Sequence, residues 1–145
     1  MIYNGGYFIQ IWVKSCMNNI YSLIIILIHL ELIEAYIQHS DTLYGVMENL
    51  YGWYKKSIFL FFLIHPAFYF TLFVIIITDI LNSYMILLLV FKVFDMFYKL
   101  ELIKTIFIKQ SISQDLAQML EWKIPSWFFL MGVGVYPPLL FYALS

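Results

Sequence analysis

The sequence contains no arginine, one cysteine and very little charge of either sign. Each scarcity excludes something. With only Cys16, no disulfide within the chain and no paired-cysteine redox or zinc chemistry is open to it. All eight cations are lysines and the formal net charge is -1, so there is no basic excess to attract nucleic acid. Charged residues make up 12% of the chain, about half the share a water-soluble surface requires. The opening MIYNGGYFIQ has no positively charged start, no small-residue cleavage site before Lys14 and no myristoylation pattern, so neither a signal peptide nor N-terminal myristoylation is expected. Metalloprotease, nucleophile-elbow, phosphate-loop and calcium-loop motifs are all missing.

What is abundant is apolar. Hydrophobic residues account for 63% of the chain and mean hydropathy is +0.86, which assigns most of the surface to lipid. The stretch 57–99 holds two nearly unbroken apolar runs joined by a polar knot at Thr78, Asp79, Asn82 and Ser83. Each run is long enough to cross a hydrocarbon core of about 30 Å at about 1.5 Å per residue. The expected fold is all-α and membrane-integral, a single domain with four transmembrane helices at 16–38, 57–78, 80–99 and 126–145. Pro66 is expected to kink the second, because it removes a helical N–H. Residues 1–13 either lie in the interface or extend the first span outward.

Two amphipathic segments are too short to span. In 42–54, capped by Ser40 or Asp41, the residues Val46, Met47, Leu50, Tyr51 and Tyr54 share one face. In 111–122, Ser111 with Gln114 reads as a capping box, and Ile112, Leu116, Met119 and Leu120 are expected inward. Between them, helix 80–99 is expected to run on to about residue 110, with Leu102, Ile103, Ile106 and Phe107 as its apolar side. Both segments are expected in the headgroup layer on the cytoplasmic side. The connections that carry them hold Lys55, Lys56, Lys99, Lys104, Lys109 and Lys123, against Lys14 alone on the other side. That bias keeps those connections inside and both termini outside. Trp53, Trp122 and Trp127 fit anchors at the inner interface. Gly132 and Gly134 allow another helix to approach the last span closely.

Ionisable groups inside a membrane are expensive and usually serve a function. Here they are His29, Glu31 and Glu34 in the first span, His65 in the second, and Lys92 and Asp95 in the third. Counted from the inner boundary, both histidines lie roughly 12–14 Å deep, Lys92 at a similar level, and Glu34 and Asp95 about one turn nearer the inside. At about 100° per residue, Asn18, Ser22, His29 and Tyr36 share one stripe, and Glu31, Glu34, Gln38 and Asp41 the opposite one. Lys92, Asp95 and Lys99 share a face and are expected to pair among themselves.

Three functions compete. The first is an accessory or assembly subunit, its spans packed against other membrane proteins and its buried charges paired across that interface. The second is ion or proton translocation through Glu31, Glu34, Lys92, Asp95 and His65, since carboxylates and imidazoles in a dry bundle can relay protons. The third is a b-type haem held between His29 and His65, each imidazole an axial ligand; the plainer expectation for either ring is a hydrogen bond to Tyr, Ser or a backbone carbonyl. An enzyme is not expected. His39 and Asp41 stand close together at the inner interface, but a metal needs more ligands than they supply.

Overall fold

The computed structural model describes residues 5–17 and 20–145. Among them the chain is all-helical: α1 Gly5–Met17, α2 Ile20–Gln38, α3 Leu43–Lys56, α4 Ile58–Leu63, α5 Pro66–Thr78, α6 Ser83–Ile103, α7 Gln114–Leu120 and α8 Met131–Leu144. A π-helical turn, Lys104–Ile108, extends α6, and a 3-10 turn, Ser126–Leu130, leads into α8.

Local chemistry explains most boundaries. α2 begins at Ile20, four residues later than the expected span, and Cys16 belongs to α1. Asn18 and residues 1–4 lie outside the described residues. The cap of α3 is Thr42, whose hydroxyl accepts from Gly45 N–H, rather than Ser40 or Asp41. The segment 57–78 is two helices. Ser57 caps α4, the chain leaves the helical path at Ile64 and His65, and Pro66 opens α5. Proline suits that first helical position, where no N–H is needed.

The polar knot is the turn between α5 and α6. Thr78 donates to Val74 C=O and accepts from Ile80 N–H, Asp79 takes a left-handed φ of 54°, and Asn82 caps Met85 N–H. At the far end, Gln110 with φ 51° ends the π turn. The cap of α7 is Ser113, not Ser111, and Ile112 is exposed rather than inward.

Among the described residues, two helical segments are long and apolar enough to cross a membrane, Ile20–Gln38 and Ser126–Leu144. α5 is apolar but short, because the break at Pro66 divides its run, and α6 is long but carries Lys92, Asp95 and Lys99.

Among the described residues, buried side chains form two clusters. One joins Leu23, Leu27, Ala67, Val74, Met85, Leu88, Leu140 and Ala143 from α2, α5, α6 and α8. The other joins α3, α4, α6 and α7 around Leu50, Phe61, Met96, Ile103 and Leu120. Along α6, Leu88 belongs to the first and Met96 to the second, with Lys92 between them. The connection after α2 and the one after α7 are tied together: Leu43 N–H donates to Trp122 C=O, and Ile124 N–H to Asp41 C=O.

Candidate functional site

Glu31, Glu34 and Gln38 lie on one stripe of α2, at intervals of three and four residues, and all three are buried. Lys92, Asp95 and Lys99 repeat the same intervals on α6. The two stripes face each other in register. Lys92 forms an ion pair with Glu31 and lies 3.6 Å from Glu34 Oε2. Lys99 Nζ donates to Gln38 Oε1 at 2.8 Å and to Asp95 Oδ2 at 2.5 Å. The expected pairing of Asp95 with Lys99 is present. Lys92 instead turns across to α2, because two buried carboxylates wait there while Asp95 is half-exposed and held by Lys99.

Glu34 has a second partner that the sequence did not suggest. Its Oε1 accepts the backbone N–H of Ala67 at 2.8 Å. That N–H is free because α5 restarts at Pro66, so the first turn of α5 has no helical acceptor. A carboxylate at a helix N-terminus also meets the positive end of the helix dipole. The break at Pro66 and the charge of Glu34 are thus one feature.

α8 completes the site. The Tyr136 ring lies 4.1 Å below the Lys92 ammonium, a cation–π contact. Gly132 brings backbone against Glu31: a Cβ added there would fall 2.5 Å from Glu31 Oε2. The small residues of α8 therefore do permit a close approach, at Gly132 but not at Gly134, where a Cβ would meet open space. Nothing in the sequence indicated that Tyr136 or Ala67 would join the cluster.

The two histidines are not brought together. His29 is exposed, and its Nδ1 bonds Ile25 C=O at 2.7 Å. His65 is buried at 3% exposure, and its Nδ1 bonds Phe61 C=O at 3.0 Å. A carbonyl only accepts, so Nδ1 carries the proton in each ring and Nε2 is left as the acceptor. In His65 that Nε2 is buried without a protein partner. One imidazole on the outer surface and one in the interior do not suit a shared haem iron, so the geometry does not fit the b-type haem. The His39 ring lies 5.1 Å from the Phe129 ring, tilted by 42°, and the His39 carbonyl accepts from Asn49. Among the described residues no group of three His, Cys, Asp or Glu is placed to hold a metal ion.

A cleft of about 890 Å³ opens onto this cluster. α6 and α8 are packed together at one end, where Asn82 Nδ2 donates to Ala143 C=O at 2.7 Å and Tyr84 stacks on Tyr142. Towards the other end residues of both helices line the cleft. The back wall is the buried row of Glu31, Glu34, Gln38 and Lys92, and the rim includes the exposed Phe91, Tyr98, Trp127, Phe128 and Val135.

Comparison of the chain with protein-family models, curated proteins and solved structures finds no match.

Proposed function

We propose that this chain is a multi-pass membrane protein that exchanges protons or small cations at the Glu31–Glu34–Lys92 cluster. The four spans in this reading are α2, α4 with α5, α6, and the 3-10 turn with α8. Their outward side chains suit lipid: Ile25, Phe73, Ile76, Phe94 and Phe97 are all exposed. Lipid offers helices no hydrophobic reason to associate, so packing contacts and interhelical polar bonds must hold them. The ladder between α2 and α6 supplies such bonds. The tie between the two lysine-bearing connections supports a common cytoplasmic side for both, as the positive-inside rule asks.

The observation that carries the exchange reading is the sharing of one buried lysine by two buried carboxylates, one of them seated on a broken helix. Interrupted helices whose ends point at charged groups are how membrane proteins build ion sites at depth. With all three groups ionised, the cluster carries one negative charge that Lys92 does not balance. A proton or a cation from the cleft balances it. The side away from the cleft is closed by the apolar cluster of Leu27, Val74, Met85, Leu88 and Leu140, so exchange in this conformation is with the inner side.

The test is flux. The purified chain in liposomes, driven by a pH or cation gradient, is expected to pass protons or cations above the empty-vesicle rate. Glu34→Gln is expected to lower the rate at least tenfold. Equal rates for wild type, Glu34→Gln and empty vesicles overturn the reading. Orientation is checked separately. In a Cys16→Ser background, Lys104→Cys is expected to react with an impermeant thiol reagent only after the inner face is opened.

The subunit reading is second. The exposed aromatic belt suits partner helices as well as lipid. Its further expectation, buried charge paired across an interface, has less support, because Glu31, Glu34 and Lys92 find partners within the chain. A chain that leaves its membrane alone under mild extraction argues against it.

A further inference from the structure

We infer that the cleft between α6 and α8 binds a lipophilic organic cation, with its charge at the Glu31–Glu34 end and its apolar body against the aromatic rim. The inference rests on the exchange reading and names a substrate class for that same site.

Size comes first. About 890 Å³ is far more than a proton or a bare metal ion occupies, and falls in the range of small-molecule sites. Lining comes second. The cleft is walled mostly by aliphatic and aromatic side chains, with the charged row confined to its back. A hydrophilic solute gains little from such walls, whereas a molecule that partitions into lipid reaches them through the exposed rim.

Charge decides the sign. Asp95 and Lys99 neutralise each other, while at the back Glu31 and Glu34 face Lys92 alone, so with these groups ionised one negative charge is left for a proton or a cation to balance. The remaining cation of the lining, Lys123, is exposed at the mouth, where water screens it. Tyr98 and Tyr136 add neutral aromatic faces. Tyr136 already holds the Lys92 ammonium over its ring, so this wall presents a π face to positive charge. An anion of the same shape would meet the surplus carboxylate with no free ammonium at depth.

The experiment uses the full chain in lipid nanodiscs with tetraphenylphosphonium as the probe. Titration followed by tryptophan fluorescence and by calorimetry in two buffers of different ionisation heat gives affinity and protons released together. Saturable binding is expected, with a proton released as the cation enters. Glu34→Gln is expected to weaken binding at least tenfold and to abolish the proton release. Val135→Trp, at the exposed rim, is expected to weaken it at least tenfold without touching the ion cluster, which guards against a Glu34 variant that misfolds. Tetraphenylborate, the anion of matching shape, is expected to bind at least tenfold more weakly. Equal binding of the two probes, or phosphonium binding that neither variant alters, overturns the inference. Proton flux in liposomes with no phosphonium binding also overturns it while leaving the exchange reading standing. Phosphonium binding with proton release but no flux upholds the site and removes the exchange reading.

Discussion

The carboxylate of Glu34 accepts the backbone N–H of Ala67, two residues separated by 33 positions in the chain, at 2.8 Å. The bond joins α2 to the first turn of α5 and places Glu34 between a helix terminus and the Lys92 ammonium. Glu34→Ala removes both partners at once. It is expected to destabilise the chain by about 2 kcal/mol, since the buried Ala67 N–H is left unsatisfied while Lys92 keeps its ion pair with Glu31. Glu34→Gln keeps an oxygen for Ala67 and is expected to cost less than half as much. Denaturation in mixed micelles, followed by circular dichroism, ranks the two.

Lys92 is the only ammonium in contact with both buried carboxylates among the described residues. Lys92→Met is expected to cost about 3–5 kcal/mol, because Glu31 and Glu34 lose their counter-ion at depth. The triple variant Lys92→Met, Glu31→Gln, Glu34→Gln is expected to recover most of that loss, since removing a whole buried ion group is often close to neutral. Its flux should stay at the empty-vesicle level. Recovery of stability without recovery of flux would separate the structural role of the cluster from the exchange proposed for it.

Gly132 is needed for closeness rather than for an unusual backbone angle. Gly132→Ala places a methyl group against the Glu31 carboxylate. A loss of about 1 kcal/mol is expected, since the flexible end of Glu31 can give way but must shift against its Lys92 ion pair. Gly134→Ala, two residues on and facing open space, is expected to be neutral or slightly stabilising through the better helix propensity of alanine. A comparison of melting temperatures in one detergent decides this, and equal effects at the two positions would refute the packing of α8 on α2.

The two histidines are expected to behave differently. His29→Ala removes an exposed ring and should change stability by no more than about 0.5 kcal/mol. His65→Ala empties a buried site beside Phe61 and should cost about 2 kcal/mol or more. The absorbance spectrum is a second check. Protein purified after haem supplementation is expected to show no Soret band, and such a band lost in both variants would restore the axial pair.

Much of this arrangement was written in the order of residues. Apolar runs and scarce charge determined an all-helical chain with helices long and apolar enough to cross a membrane, and Pro66 marked the break in 57–78. The 3.6-residue period alone put Glu31, Glu34 and Gln38 on one stripe and His29 on another, because the angle between residues on a helix is fixed by its own backbone. Which stripes would meet was not encoded locally. Both Asp95 and Glu31 are sound partners for Lys92 by chemistry, and only the packing of α2 and α6 on their shared neighbours α5 and α8 decided for Glu31 and Glu34. The same holds for Ala67, whose N–H is like any other until the helix restarts beside a carboxylate. Geometry within a helix follows from sequence spacing, while contact between helices depends on three-dimensional packing that no short stretch of the chain contains.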